Sequence, residues 1–236
     1  MLNQGTIIAK ATAAGSSAIS LFRLSGSDSI EMVSECFQPK SQKKLLDQKS
    51  HTVHLGTLKH NGAALDEVLV SIFKAPHSYT GENIVEISCH GSNYIQEAIL
   101  RLFSSKGAQP AKPGEFTLRA FLNKKMDLSQ AEAVADLIVS ESKAAHEVAM
   151  NQMRGGYTAE IAQLRQKLLD FASLITLELD FAEEDVAFAD RTALTELLSI
   201  LQSKIKSLLD SFQYGSVIKK GVPVAIVGKP NAGKSS

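Results

Sequence analysis

The final residues of the sequence form a pattern that could bind a phosphate. Gly228 is followed, after four residues, by Gly233, Lys234 and Ser235, which matches the phosphate-loop pattern G-x-x-x-x-G-K-[ST]. Glycines at both ends allow backbone N–H groups to wrap a phosphate, while Lys234 would reach the β- and γ-phosphates and Ser235 would ligate Mg²⁺. An ordinary glycine turn is the alternative, and the apolar run 222–227 before the loop makes it the weaker one.

The sequence stops directly after this loop, at Ser236. No Walker B aspartate, switch loop or base-recognition motif follows, so we expect the chain as given to hold a phosphate at most and to be inactive alone as a nucleotide hydrolase. We expect the remaining machinery to lie in missing sequence or missing order beyond this residue.

Composition excludes several classes of protein. A chain of 236 residues that is 44% hydrophobic can bury a sizeable core in one or two domains. Its 25 basic and 25 acidic residues give zero net charge and no global case for binding nucleic acid, although a local patch stays open. The sequence has no signal-peptide or membrane-span pattern, and Cys36 and Cys89 fit a reducing compartment. We expect a cytoplasmic protein that does not contact a membrane.

The first half of the sequence alternates strand-like and helix-like runs. Strands are predicted in "TIIAKATA", "SAISLFRLSG" and "ENIVEISCHG", and helices in "SDSIEMVSECF", opened by a Ser/Asp cap, and "NYIQEAILRLFSSKG", which ends at Gly107. Asn61-Gly62 predicts a hairpin between two further strands. This half is therefore predicted to be an α+β domain.

From about Met126 onward, long helical patterns replace the strands. Ser129 and Glu132 predict a capping box that opens a helix over "QAEAVADLIVSESKAAHEVAM". Two apolar stripes with helical spacing then predict a pair of antiparallel helices in a bundle; they comprise Ile161, Leu164, Leu168, Phe171 and Ile175, and then Leu194, Leu198, Leu201, Ile205, Leu208 and Phe212. Between them, the acidic run 183–185 is typical of a solvated connection, with a metal site as the weaker alternative.

Two stretches of the middle region are dense in Gly, Pro and polar residues beside apolar runs: "APHSYTGENIVEISCHGS" and "AKPGEFTLRAFLNKKMDLSQAEAVADLI". Together with "ATAAGSSAISLFRLSG" near the start and "GKPNAGKSS" at the end, they resemble the MnmE (TrmE) family of tRNA modification GTPases. The resemblance covers essentially the whole sequence.

The resemblance implies three parts: a tetrahydrofolate-binding and dimerisation domain over 1–120, the first part of a helical domain over 121–216, and the start of an α/β P-loop G domain over 217–236. In that family the helical domain is completed after the G domain and carries a Cys-x-Gly-Lys motif, so the catalytic cysteine is expected beyond this chain. The family implies a homodimer through the N-terminal domain.

The resemblance also implies an activity. Such a protein would work with an MnmG-type FAD protein, in a heterotetramer or larger assembly, to add an aminomethyl-type group to the wobble uridine of certain tRNAs. The one-carbon unit would come from formyl- or methylene-tetrahydrofolate, and K⁺-stimulated GTP hydrolysis would drive conformational change. A ribosome-assembly or RNA-binding GTPase and a folate-binding dimerisation scaffold without chemistry are the alternatives.

Three residues are implied as the folate site by matching motifs. They are Arg23 in "FRLSG", Glu86 in "TGENIVEISCHG" and Lys125 in "RAFLNKK". The chemistry agrees in kind, because a carboxylate can accept from adjacent pterin N–H groups and cations can pair with the glutamate tail of a folate. Which cation would meet the tail stays open.

The same resemblance gives roles to the loop residues. GTP would be bound by Asn231, Ala232, Gly233, Lys234, Ser235 and Ser236, with Asn231 also coordinating K⁺ and Ser235 coordinating Mg²⁺. Two departures from the family pattern stand out: "ATAAG" in place of "ATPPG", which is expected to loosen a pocket loop, and "TGEN" in place of "TGED", which removes a charge.

Histidines and cysteines offer weaker alternatives. Cys89 and His90 could form a nucleophile pair, but neighbouring strand residues point to opposite faces, which favours a buried Cys89 and a loop-edge His90 near the folate pocket. His51, His54 and His60 lack the companion ligands of a zinc site and are expected on the hairpin surface.

Overall fold

The structure is a computed structural model that describes residues 5–41, 43–180, 191–220, 225, 227 and 228. The chain divides into two compact units, Met1–Ala131 and Glu132–Ser236. A mixed sheet domain followed by helices confirms the fold class predicted from the sequence. Most of the predicted start of a G domain, over 217–236, lies outside the described residues.

A seven-stranded sheet organises the first unit. Its strands are β1 (Ile7–Lys10), β2 (Ser17–Ser25), β3 (Phe37–Pro39), β4 (Thr52–His60), β5 (Ala63–Phe73), β6 (Ile84–Gly91) and β7 (Gln109–Pro110). The order across the sheet is β3-β4-β5-β6-β2-β1-β7. Neighbouring strands are antiparallel except β1 and β7, which pair in parallel at one edge. Strands β2 and β6 are therefore central.

The longest ladder of the sheet is the predicted hairpin of β4 and β5. Asn61 and Gly62 connect the strands with φ of 49° and 80°, the positive values that a tight two-residue hairpin turn requires. The turn residues were sufficient to predict this element.

Two helices cover one face of the sheet and bury the core. They are α1 (Ser29–Cys36) and α2 (Asn93–Ser105), and a short 3₁₀ turn, Leu45–Asp47, packs beside α1. The core contains Phe22, Leu24, Val33, Leu45, Val70, Ile87, Ile99 and Phe103, all buried. Ser92 caps α2 by accepting from the N–H of Ile95 at 3.2 Å. At α1 the predicted Ser/Asp cap is only half right, because Asp28 occupies the cap position but its side chain makes no capping hydrogen bond.

The opposite face of the sheet carries two rows of cross-strand neighbours. One row runs Val53, Ser71, Glu86, Arg23, and the next runs Leu55, Leu69, Ser88, Leu21. These residues alternate with the buried ones, as a sheet with one packed face requires. Val53, Leu55 and Leu69 are large apolar side chains that stay exposed on this face. A charged pair therefore lies next to an open apolar surface.

A loop over 74–83 and helix α3 (Glu115–Leu122) complete the first unit. The loop contains a cis peptide bond between Ala75 and Pro76, and Gly81 with φ of 79°. Backbone groups just beyond α3 close its last turn, with the N–H of Asn123 donating to the carbonyl of Arg119. These two segments hold most of the polar side chains described below.

The helical part of the chain comprises α4 (Leu128–Val139), α5 (Lys143–Met153), α6 (Gly156–Asp180) and α7 (Arg191–Lys220). The single helix predicted over "QAEAVADLIVSESKAAHEVAM" is wrong, because α4 ends at Val139 and a new helix begins at Lys143. Ser142 caps α5 by accepting from the N–H of Ala145. Within the second unit, α5, α6 and α7 contact one another.

The capping box of α4 also differs from the prediction. The Gln130 N–H donates to Oδ1 of Asp127 at 2.8 Å, and the Asp127 N–H donates to Oε1 of Gln130 at 2.9 Å. This reciprocal pair lies two residues before the predicted Ser129 and Glu132. Aspartate and glutamine provide the same acceptor geometry as the serine and glutamate of the usual motif, and they lie where the helix begins.

The predicted apolar stripes lie on helices, but several of their members are exposed. Ile161 is 54% exposed, Ile175 39% and Ile205 55%. An apolar stripe defines a face that can be buried, and burial requires a partner surface, which the described residues of this unit do not supply there. The acidic run 183–185 and the side chains of Leu208 and Phe212 lie outside what the structure describes. Among the described helices, none combines the length and apolar character needed to cross a membrane.

Candidate functional site

Two of the three folate candidates are in direct contact. Arg23 and Glu86 are cross-strand neighbours on β2 and β6, and the Arg23 Nε and Nη2 groups lie 2.8 and 2.6 Å from Oε1 of Glu86. Their side chains are 29% and 19% exposed. Both contacts converge on Oε1, so among the described residues Oε2 is the carboxylate oxygen that remains to accept from a ligand. The pair is thus half-buried and pre-formed.

Two aromatic rings flank the guanidinium group of Arg23. Its central carbon lies 5.5 Å from the centre of the Tyr79 ring and 5.7 Å from that of Phe116. Contacts of this length are within the range of cation–π attraction. The Tyr79 hydroxyl is in turn hydrogen-bonded to Oγ1 of Thr117 at 2.8 Å, so the loop and α3 hold this ring together.

The third candidate, Lys125, contacts the loop and not the ion pair within the described residues. Its Nζ donates to the carbonyl of Pro76 at 3.1 Å, and its stem packs at Gly81, where an added Cβ would lie 3.4 Å from Cγ and Cδ of the lysine. Asn123 donates to the carbonyl of Thr80 at 2.7 Å. Lys125 therefore reaches the site through the loop that also carries Tyr79.

A buried charged network underlies this loop. Arg119, only 4% exposed, donates from Nη1 to both oxygens of Glu82, at 3.3 and 3.1 Å, and from Nη2 to Oε1 of Glu115 at 3.3 Å and to the carbonyl of Gly5 at 3.0 Å. Ser25 donates to Oε2 of Glu82 at 2.7 Å. A buried charge is tolerated only when it is paired and hydrogen-bonded in this way.

Sequence reasoning missed Arg119, Glu82, Tyr79 and Phe116. One local signal was available, because Glu115 and Arg119 have the i,i+4 spacing of a helical ion pair. The pairing of Arg119 with Glu82 spans 37 residues and has no local signal. All four lie in the two stretches that carry the resemblance.

The asparagine of "TGEN" acts as a structural tie. Asn83 accepts from the N–H of Ala75 with Oδ1 at 3.0 Å and donates from Nδ2 to the carbonyl of Ser27 at 3.1 Å. An aspartate could make only the first of these bonds, since an ionised carboxylate cannot donate. The other departure, Ala13-Ala14, precedes Gly15, whose carbonyl accepts from Nε2 of Gln96 at 3.1 Å.

Cys89 and His90 do not form a nucleophile pair. The Cys89 thiol is buried against the carbonyl of Ser20 at 3.4 Å, whereas the His90 ring is exposed and its Nδ1 lies 2.7 Å from Oδ1 of Asp66. Burial raises the pKa of the Cys89 thiol to about 11, and the Asp66 carboxylate adds to that rise. A thiol in this state is unreactive near neutral pH. The expectation of a loop-edge His90 is wrong, because this residue lies within β6.

The histidines of the hairpin make surface contacts. His54 Nε2 is hydrogen-bonded to Oγ1 of Thr52 at 2.7 Å, and the His51 ring meets the Phe73 ring edge-on. In the part of the chain that the structure describes, no group of three or more His, Cys, Asp or Glu side chains is arranged to hold a metal ion.

The predicted nucleotide-binding residues 231–236 lie outside the described residues, as do Lys229 and Pro230. The geometry of the first unit alone therefore defines the candidate site: an ion pair on an open sheet face beside two aromatic rings, with Lys125 held by the loop that carries one of those rings.

Comparison with known families identifies two domains in the chain. Residues 6–125 match the model of the N-terminus of the GTP-binding protein TrmE, and residues 128–223 match that of the MnmE helical domain. The chain belongs to the MnmE (TrmE) family. The sheet unit and the helices thus correspond to two recognised MnmE domains.

Relatives show the same family over the whole chain. It is 59% identical to the tRNA modification GTPase MnmE of Flavobacterium johnsoniae over 236 residues, which are 100% of this chain and 51% of the relative. It is 55% identical to that of Bacteroides thetaiotaomicron over 236 residues, 100% of the chain and 50% of the relative. It is 53% identical to that of Cytophaga hutchinsonii over 231 residues, which are 98% of this chain and 50% of the relative. The chain spans about half the length of these MnmE relatives.

Proposed function

We propose that this chain is the N-terminal and first helical portion of a tRNA modification GTPase, and that its sheet unit binds a tetrahydrofolate one-carbon donor. The observation that carries the proposal is the Arg23–Glu86 pair between Tyr79 and Phe116. The names of the relatives support the tRNA modification and GTPase parts.

The described residues fit a folate in their chemistry. A pterin ring is planar and has adjacent N–H donors, which suit the Glu86 carboxylate. Flanking aromatic rings suit a flat heterocycle. The Lys125 ammonium suits a carboxylate of the glutamate tail, whereas Arg23, held against Glu86, would lie at the pterin end of the ligand. When bound, the folate would supply the one-carbon unit, formyl or methylene, and these residues would bind and orient it.

The remaining functions belong to the longer protein. GTP and Mg²⁺ would be held by the loop that contains Lys234 and Ser235, and K⁺ by Asn231. An MnmG-type FAD protein would be the partner in modifying the wobble uridine of certain tRNAs. The two free buried thiols, Cys36 and Cys89, fit a cytoplasmic location.

A homodimer through the sheet unit is part of this proposal. Val53, Leu55 and Leu69 are exposed on the same face as Arg23 and Glu86. Large apolar side chains clustered on an open sheet face are typical of a protein–protein interface. A second copy covering this face would place the ion pair beside the interface.

Calorimetry with 5-formyl-tetrahydrofolate tests the site. The full-length protein should bind it, and Glu86→Ala should lose at least about tenfold in affinity, because the pterin N–H groups lose their charged acceptor. Equal affinity of the two proteins would overturn the site assignment. For the nucleotide part, GTP turnover of the full-length protein should rise when Na⁺ is replaced by K⁺, and indifference to the cation would favour the scaffold alternative.

A further inference from the structure

We infer that Arg119 is a positioning residue for the folate site, acting through Glu82 and the loop over 74–83. This inference rests on the proposed folate site. Arg119 is buried beneath the loop, so its influence would pass through the side chains and backbone that it holds.

The loop reaches the site at two points. Tyr79 contributes one of the two rings beside the Arg23 guanidinium, and the Pro76 carbonyl accepts from Nζ of Lys125. The loop thus determines where an aromatic wall and a cation of the site lie. Any displacement of its backbone moves both.

Glu82 anchors the loop from below. Its Oε2 accepts from Ser25 at 2.7 Å and from Arg119 at 3.1 Å, and its backbone N–H donates to Oγ1 of Thr80 at 3.2 Å. The carbonyl of Glu82 accepts from Ser78. Glu82 therefore ties the C-terminal end of the loop both to strand β2 and to helix α3.

Arg119 provides what the anchor needs in charge and geometry. It lies on the helix that also carries Phe116 and Thr117, so one element presents the second aromatic wall, the partner of the Tyr79 hydroxyl and the anchor of Glu82. A planar guanidinium can bridge Glu82 and Glu115 at once, whereas a lysine ammonium has neither the reach nor the fork. The arginine fixes the spacing between loop and helix.

The structural consequence is a site whose preorganisation depends on one buried residue. A binding constellation loses affinity when its supporting groups allow the contact residues to move by about 1 Å. Loss of Arg119 should therefore weaken folate binding even though no ligand atom would touch it.

The test compares variants of the full-length protein by calorimetry with 5-formyl-tetrahydrofolate, at a temperature where circular dichroism shows each to be folded. We expect Arg119→Met to weaken binding by about tenfold or more, and Arg119→Lys to recover only part of that loss. In the Lys125→Ala background the Arg119→Met effect should shrink, because one of the two contacts that the loop positions is already gone.

Two measurements separate positioning from loss of stability. Leu45→Ala, in the core beside α1, should lower the midpoint of thermal unfolding and leave the affinity within about twofold of wild type. Hydrogen exchange should accelerate over 74–83 in Arg119→Met, with α2 unchanged. If Arg119→Met does not fold, Glu82→Gln replaces it; this change keeps an acceptor but removes a charge, and should weaken binding about threefold to fivefold.

Each outcome decides one of the two claims. Wild-type affinity in Arg119→Met, or in Glu82→Gln where that variant is used, overturns the inference, and so does an equal loss in Leu45→Ala. Absence of binding by the wild-type protein overturns the proposed folate site itself. An undiminished effect of Arg119→Met in the Lys125→Ala background would overturn the part of the inference that runs through the position of Lys125.

Discussion

Arg23 and Glu86 lie directly opposite each other on the central strands β2 and β6, and the strand register alone brings them together. A slip of one residue would place them on opposite faces of the sheet. Phe22 and Leu24 on β2 and Val85 and Ile87 on β6 are all buried in the core, so the core holds this register. The packing of the sheet therefore positions the ion pair before any ligand binds.

The pair should contribute to stability in the absence of ligand. A double-mutant cycle with Arg23→Gln and Glu86→Gln is expected to give a coupling free energy of about 1 kcal/mol, since the two side chains are half-buried rather than fully exposed. Hydrogen exchange of the β2 and β6 amides in the full-length protein measures the stability of the sheet unit alone. A coupling of zero would show that solvent screens the pair completely.

Gly81 and Gly62 provide a matched test of the loop. Both have φ near +80°, so alanine at either should cost about 1–2 kcal/mol in stability. At Gly81 the new Cβ would lie 3.2 Å from Cβ of Asn123 and 3.4 Å from the Lys125 stem, whereas at Gly62 nothing lies within 4 Å. Gly81→Ala should therefore weaken 5-formyl-tetrahydrofolate binding by about threefold or more, roughly 0.7 kcal/mol, and Gly62→Ala should not.

Calorimetry on the two glycine variants measures this difference. Wild-type affinity in both variants would contradict the role given to Lys125 and to the loop beneath it. An equal loss in both would point to stability, not site geometry, as the cause.

Local elements were predictable from the sequence because local residues determine them. The Asn61-Gly62 hairpin needs only two residues that tolerate positive φ between β-type runs. The interruption before α5 was missed because the helical spacing of apolar residues continues across the polar residues 140–142. In the structure α4 ends before these residues, and Ser142 caps α5.

The candidate site was only half predictable, for a non-local reason. The resemblance supplied Arg23, Glu86 and Lys125, and the strand register places the first two in contact. Arg119 was missed because an arginine in an isolated helix is expected in solvent, and its burial depends on Glu82 from a distant loop. Buried charges that support a site can be identified only from the tertiary structure.

The capping box of α4 leads to a prediction about helix fraying. Asp127→Ala removes the acceptor of the Gln130 N–H and should cost about 1 kcal/mol locally. Glu132→Ala, at the position favoured by the sequence pattern, is the matched control and should cost less, because Glu132 is exposed inside the helix. Hydrogen exchange of the first turn of α4 measures both. Faster exchange in Glu132→Ala than in Asp127→Ala would instead support the capping box of Ser129 and Glu132 that the sequence pattern predicts.

Cys89 should make the stability of the sheet unit depend on alkaline pH. Burial and the nearby Asp66 carboxylate raise the pKa of its thiol from 9.0 to about 11, so the folded state keeps a proton that the unfolded state loses above pH 9. The unfolded state then binds fewer protons, and stability falls as pH rises from 9 toward about 11, by up to about 1.4 kcal/mol per pH unit.

The measurement that isolates this effect is the difference between the full-length wild-type protein and Cys89→Ala, followed by hydrogen exchange of the β2 and β6 amides, with intrinsic exchange rates corrected for pH. Lysines and tyrosines also titrate in this range, but their contribution is common to both proteins and cancels in the difference. The stability advantage of wild type should therefore shrink between pH 9 and 11.

Cys36→Ala should show a change of the same sign, since burial raises the pKa of the Cys36 thiol as well, although the Lys106 ammonium opposes that rise. Parallel curves for wild type and Cys89→Ala would mean that the thiol ionises as readily in the folded sheet as in the unfolded chain.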